Sequence, residues 1–140
     1  MERIDKVPGT EYEIIQNRDM FSYGVDAILL SSFSKPKGVV VDLGTGTGII
    51  PLRLVDRNNI KKIYGVEIQD EVADMAKRSV LLNSLDERIE ILHMDLRELT
   101  KILPKASVDV ITCNPPYMKT GGAIINDNEN FALSRHEIKG

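Results

Sequence analysis

The stretch VVVDLGTGTG, residues 39–48, decides the fold of this chain. The apolar residues on both sides of Asp42 predict a buried β-strand over residues 39–43. Glycines then occupy alternate positions, at Gly44, Gly46 and Gly48, where they let the backbone turn tightly and approach a ligand closely. Because residues 50–57 have a helical pattern, the stretch predicts a strand, a glycine-rich loop and a helix.

Strands and helices continue to alternate along the chain. Three further apolar runs of strand length cover residues 63–68, 89–94 and 108–113. The predicted helices are residues 27–34 (with Asp26 as the N-cap), 50–57, 70–82 and 97–103. This alternation predicts an α/β fold with a parallel sheet and right-handed crossovers. We expect one domain over residues 1–140, with an N-terminal segment (1–38), a core (39–118) and a final loop segment (119–140).

Composition excludes several classes of protein. The chain has 140 residues, a net charge of −3 and 42% hydrophobic residues, so it is neither disordered nor fibrous. No apolar run approaches the roughly 18–20 residues of a membrane span, and no secretory signal is present, which predicts a cytoplasmic protein. The single cysteine, Cys113, cannot form an internal disulfide. Mild acidity argues against strong nonspecific DNA binding but leaves recognition of RNA by a local patch open.

The glycine-rich loop favours a ligand without a pyrophosphate. A dinucleotide fingerprint would place its third glycine at Ile49, and a P-loop would need a lysine that this loop lacks. Asp42 would repel phosphates but tolerate an amine or a cation. Glu67, at the end of the second predicted strand, is placed to accept both hydroxyls of a ribose. Asp95, after the third, could accept a hydrogen bond from an adenine amino group or could cap the helix near Arg97.

The tetrad Asn114-Pro115-Pro116-Tyr117 follows the fourth predicted strand. Two prolines fix the backbone and remove two N–H donors, which leaves the Asn114 amide oxygen and the Pro115 carbonyl as acceptors. Tyr117 adds a flat ring, so the tetrad suits a planar group that carries an NH2. In a doubly wound sheet the ends of the first and fourth strands flank the crevice, so cofactor and substrate would meet there.

Residues 42–48, Glu67, Asp95 and 114–117 together resemble the class I S-adenosylmethionine-dependent methyltransferases, in the subset that methylates exocyclic or amide nitrogens. The resemblance implies a Rossmann-like, doubly wound, mostly parallel sheet. Because the strand and helix pattern stops after Tyr117, we expect this sheet to be incomplete at the C-terminus and the chain to be an N-terminal portion of a longer protein. It implies that S-adenosylmethionine is held by Asp42, Gly44, Thr45, Gly46, Gly48, Glu67, Ile68, Asp95, Leu96 and Asn114. It assigns catalysis to Asn114, Pro115, Pro116 and Tyr117, with Asn114, Pro115 and Tyr117 contacting the substrate.

Two further segments, residues 21–30 and the run Ala132…Arg135-His136-Glu137, resemble the bacterial tRNA(Val) adenine-N6 methyltransferases. The resemblance implies transfer to an adenine N6 in the anticodon loop, in line at the methyl carbon of a sulfonium, with the two acceptors favouring a pyramidal nitrogen. Alternatives are a release-factor glutamine amide, a ribosomal RNA guanine N2, and a cofactor-binding module without transfer activity. No RNA-binding surface is evident, because the lysines form scattered pairs: Lys35, Lys37, Lys61, Lys62, Lys101 and Lys105.

No metal site is expected, because the two histidines have no cysteine at metal-ligand spacing. His93 is interpreted as a residue at a strand end, and Arg135-His136-Glu137 as a helix start. An uncovered sheet edge could pair two chains, so a homodimer is a further prediction.

Overall fold

The structure is a computed structural model that describes residues 1–17, 24–102 and 107–113. Its strands are β1 (Glu2–Lys6), β2 (Glu13–Asn17), β3 (Gly38–Leu43), β4 (Ile60–Glu67), β5 (Ile89–His93) and β6 (Val110–Cys113). Its helices are α1 (Val25–Phe33), α2 (Ile49–Leu54), α3 (Asp70–Leu82) and α4 (Leu99–Ile102), and a 3-10 turn over Leu96–Glu98 precedes α4. Among the described residues, no helix combines the length and the apolar character that crossing a membrane requires.

Four parallel strands form the central sheet in the order β5-β4-β3-β6. The chain thus builds β3, β4 and β5 outward to one side and returns to place β6 on the other side of β3. This confirms the predicted α/β arrangement, since the order reverses between β3 and β6. Leu43 pairs with Val66 on one side and with Cys113 on the other. The carboxyl ends of β3, β4 and β6 therefore share one edge of the sheet.

Helices cover the sheet through apolar side chains. In α2, five of the six residues are buried, and α3 buries Val72, Ala73, Met75, Ala76, Ser79 and Val80. The predicted N-cap of α1 was wrong: the helix begins two residues earlier than predicted, at Val25. Gly24 occupies the cap in an extended conformation, and Asp26 lies in the first turn, where its charge favours the helix dipole.

An N-terminal hairpin was not predicted. β1 and β2 pair antiparallel around a turn at Gly9, which has a φ of +77°. β2 docks on α3, with Ile15 packed against Val72 and Met75. The Ile15 amide donates to Ser79 Oγ (2.8 Å). The Asn83 side chain accepts from the amide of Glu13 (2.9 Å) and donates to its carbonyl (2.7 Å). Helix side chains thus satisfy the backbone of the strand edge that faces α3.

Candidate functional site

The loop between β3 and α2 needs glycine at three positions. Gly44, Gly46 and Gly48 have φ of +65°, +61° and +97°, a region that costs other L-residues roughly 1–2 kcal/mol. The Thr45 amide donates to the carbonyl of Val66 (2.9 Å), which fastens the loop to the end of β4. The predicted glycine-rich turn is therefore real, and it lies directly above the switch in strand order.

Asp42 lies beneath this loop and is only 1% exposed. Thr45 Oγ1 donates to its Oδ2 and Thr112 Oγ1 to its Oδ1, both at 2.7 Å. Asp42 thus links the glycine loop to β6. Burial raises the pKa of this carboxyl to about 7; the two hydroxyl bonds oppose that shift, and the negative charge of Glu67 adds to it. A direct contact of Asp42 with a ligand stays a prediction.

Glu67 ends β4 beside the loop and is 8% exposed. Its Oε1 accepts from the amide of Gly46 (2.9 Å), and its Oε2 accepts from the amide of Gln69 (3.1 Å). Two backbone donors therefore fix the carboxylate in one orientation. A carboxylate has about four acceptor positions, so each oxygen keeps one for a further donor. Two neighbouring hydroxyls, as on a ribose, match this arrangement.

Asp95 follows β5 and forms the local cap that the sequence left open. Its Oδ1 accepts from the amide of Arg97 (2.9 Å), at the start of the 3-10 turn. The Arg97 guanidinium also binds it, with Nη2 at 2.7 Å from Oδ2. These bonds lower the pKa of Asp95 to about 2. Arg97 contacts both carboxylate oxygens, so an adenine amino group would have to share one of these oxygens with the guanidinium. The adenine contact of Asp95 stays a prediction.

Two features beside the acids fit a nucleoside ligand. Ile68, next to Glu67, is 61% exposed, which offers an apolar surface to a flat ring. A Cβ added to Gly44 would meet no atom of the described residues within 4 Å, so these residues leave the space above the loop open.

Several predicted residues cannot be placed. Asn114, Pro115, Pro116 and Tyr117 lie outside the described residues, and so does the run 132–137.

Leu96 begins the 3-10 turn after Asp95. His93 is exposed, and its Nε2 lies 3.0 Å from the Ile68 carbonyl, as expected for a residue at a strand end. Within the described ranges, no three metal-ligating side chains come together.

Sequence reasoning missed two positions that shape the loop. Thr112 pairs directly with Asp42 across β3 and β6. The signal in the sequence that could have indicated this role is that Thr112 is a polar residue within an apolar strand. Gly65, inside β4, allows close packing, because a Cβ there would lie 2.9 Å from Thr45 Oγ1 and 3.0 Å from Ile91 Cδ1. An isolated glycine within a strand often marks such an approach.

The strand order and the glycine loop at its reversal define a doubly wound α/β domain. A family model, the methyltransferase small domain, matches residues 11–132. The chain belongs to this family, which confirms the resemblance inferred from the sequence.

Curated relatives agree with this assignment. A tRNA1(Val) (adenine(37)-N6)-methyltransferase of Tolumonas auensis is 31% identical over 131 residues, covering 91% of this chain and 54% of the relative. The enzyme of the same name from a Flavobacteriaceae bacterium is 25% identical over 129 residues, covering 91% of this chain and 52% of the relative. The chain thus spans about half the length of the curated relatives that it matches.

Solved structures share the fold. TYW2 of M. jannaschii, in complex with AdoMet, has a TM-score of 0.66 at 18% identity, covering 93% of this chain and 57% of that one. TrmK of M. capricolum, in complex with S-adenosyl-homocysteine, has a TM-score of 0.58 at 20% identity, covering 79% of this chain and 47% of that one. At these identities the likeness establishes the Rossmann-like fold.

Proposed function

We propose that this chain is an S-adenosylmethionine-dependent methyltransferase that acts on the exocyclic N6 of an adenine in the anticodon loop of a tRNA. The carrying observation is the Glu67 carboxylate, which two backbone amides hold in place beside an open glycine loop. Its two remaining acceptor positions match a ribose. The curated relatives named for adenine-N6 transfer to tRNA1(Val) support the acceptor.

The chain's residues have separate roles in holding the cofactor. Glu67 would accept the two ribose hydroxyls, and Ile68 would pack against the adenine ring. Asp95 would accept from the adenine amino group. The glycine loop leaves room for the methionine end, and Asp42 beneath it favours positive charge nearby. When bound, S-adenosylmethionine supplies a methyl group on a positively charged sulfur.

The tetrad after β6 would bind the adenine that receives the methyl group. Asn114 and Pro115 would each accept a hydrogen bond from the target amino group, and Tyr117 would stack on the base. An adenine N6 lone pair is delocalised into the ring, so two acceptors that favour a pyramidal nitrogen increase its nucleophilicity. Anticodon-loop bases are already unpaired, which lowers the cost of presenting one in the crevice. Such an enzyme would work in the cytoplasm.

Calorimetric titration with S-adenosylhomocysteine tests the cofactor assignment. We expect saturable binding at one site. Glu67→Gln should weaken this binding about tenfold or more, since hydrogen bonds to charged groups contribute about 1.5–3 kcal/mol each. The matched control is Glu90→Gln, because Glu90 is also on a strand but has an exposed side chain. No binding by a chain that melts cooperatively would refute the cofactor assignment.

Methyl transfer tests the acceptor. Labelled methyl groups should enter protein-free tRNA at an adenine N6 and should not enter a glutamine-containing release-factor peptide. Asn114→Ala should abolish transfer while S-adenosylhomocysteine binding persists. Equal turnover by this variant would exclude the tetrad as the catalytic group, and transfer to the peptide instead would replace tRNA as the acceptor.

A further inference from the structure

A groove lies at the opposite end of the sheet from the candidate site. It is formed where the connection from α1 to β3 meets the turn from α2 to β4, at the amino ends of β3 and β4. The Gly38 amide donates to the Asn59 carbonyl (2.6 Å) and ties the two segments together. The groove has a volume of about 400 Å³, and it is lined by Lys35, Lys37, Arg57, Asn58 and Asn59, together with Ser34 and Pro36.

The lining of this groove is basic. Lys35, Lys37 and Arg57 are exposed, and no acidic residue from the described part of the chain lines the groove. Arg57 donates one hydrogen bond to the Ser31 carbonyl (3.1 Å), which orients a guanidinium that carries five N–H donors. Three cations and two side-chain amides thus surround one concave surface.

Two acids lie near the groove but do not line it. Asp109 Oδ2 accepts from the amide of Val39 (2.8 Å). Asp56 accepts from the Tyr12 hydroxyl (2.7 and 2.8 Å) and lies 3.9 Å from Arg88. Although the whole chain has a net charge of −3, the described lining of this groove carries three cations. Such a local patch is what RNA recognition by a mildly acidic protein requires.

We propose that this groove binds the phosphodiester backbone of the RNA acceptor. Lysine and arginine side chains bind phosphate oxygens through charge-assisted hydrogen bonds, and the asparagine amides add neutral donors. The inference rests on the proposed function, since it assumes that the acceptor is RNA. It goes further in requiring a structured RNA that reaches well beyond the target base.

The distance between the groove and the glycine loop requires an RNA of this length. The six residues of β3 separate the groove from the glycine loop, which is about 20 Å at roughly 3.3 Å per residue. A single nucleotide in the crevice cannot reach the groove. An RNA stem that continues from the target loop along the flank of the domain can. The groove would therefore contact the phosphates of a stem, and these contacts would not depend on the RNA sequence.

The test compares two double variants of equal charge change. Lys35→Gln with Lys37→Gln removes two groove cations and leaves Arg57 in place. Lys6→Gln with Lys77→Gln removes two exposed lysines elsewhere and is the matched control. Affinity for an unmodified tRNA transcript is measured for each over a range of salt concentrations. Loss of two phosphate contacts should weaken binding and reduce the slope of log affinity against log salt by about 2 in the groove variant.

Two further measurements separate the possible outcomes. A seven-nucleotide anticodon-loop strand should bind both variants with equal affinity. It is too short to reach the groove, so the groove lysines cannot contribute to its binding. Unchanged tRNA affinity and salt slope in the groove variant, or an equal loss in the control, would overturn the inference. Titration with S-adenosylhomocysteine should give the same affinity for both variants. Wild-type binding of tRNA by the groove variant would refute the groove alone. A chain that binds the cofactor product but no tRNA would refute both the groove and the tRNA acceptor, whereas failure to bind the cofactor product would refute the cofactor assignment.

Discussion

Replacing Asp42 with asparagine should change how the stability of the chain depends on pH. The carboxyl is buried, and its pKa is raised from 3.8 to about 7, chiefly by loss of hydration. Between these two values the folded chain holds a proton that the unfolded chain has lost. The stabilisation is therefore complete below pH 3.8 and disappears as the pH rises through 7. Asparagine is uncharged throughout, so Asp42→Asn should lack this slope.

The size of the effect follows from the pKa. Each pH unit within the window changes stability by about 1.4 kcal/mol, so the wild-type chain should lose about 2–3 kcal/mol more than the variant between pH 5 and pH 8. Asparagine keeps one oxygen acceptor, and its NH2 can donate to the other hydroxyl. Either Thr45 or Thr112 can turn its hydroxyl to accept that bond. The variant should therefore fold normally and be the more stable protein at pH 8.

Urea unfolding at pH 5, 6, 7 and 8 measures this difference. The denaturant dependence of the unfolding free energy should be equal in both proteins, since the same surface is exposed. Asp86→Asn, at an exposed position, is the control and should follow the wild-type profile. Parallel profiles for the wild type and Asp42→Asn would refute the reasoning that Asp42 is buried with a raised pKa.

Two further substitutions test the packing around the site and the hairpin. Gly65→Ala should destabilise the chain by about 1–3 kcal/mol and weaken S-adenosylhomocysteine binding, since its Cβ would press on Thr45. Asp86→Asn, at an exposed position, should change stability by less than about 0.5 kcal/mol in the same urea and calorimetric measurements. Ser79→Ala should cost about 1–3 kcal/mol in urea unfolding by leaving the buried Ile15 amide unpaired, whereas Arg78→Ala should cost under about 1 kcal/mol because its ion pairs with Glu2 and Asp74 are exposed. Equal costs for Ser79 and Arg78 would contradict this account.

The central sheet was predictable because its four strands are apolar runs between turn signals, and parallel strands are buried on both faces. The hairpin was not, since β1 has one apolar side chain within its span, Ile4, and that residue is 54% exposed. β2 is buried only through its match to α3, which is distant in sequence. The prediction of Asp26 as the cap failed for a local reason: Gly24, which makes no side-chain bond, occupies the cap two residues earlier.

The candidate site shows the same division. The position of Glu67 beside the glycine loop could be predicted because this residue ends a strand, and the carboxyl ends of parallel strands meet at one edge of the sheet. The role of Thr112 depends on the register of β6 against β3, which the sequence does not reveal. Lys35 and Lys37 were predicted as one of several scattered pairs, since Arg57 lies about twenty positions away in the chain. Only the fold brings these three cations to one groove.

The N-terminal hairpin has a consequence for how the protein is made. Its strands leave the ribosome well before the helix that holds them, since the bond between Ile15 and Ser79 joins residues 64 positions apart. At a synthesis rate of about 5–20 residues per second, the hairpin waits roughly 3–13 seconds for its partner. A lone two-stranded hairpin is marginally stable in water. Throughout that interval the apolar side chains of β2 remain open to chaperones and to other nascent chains.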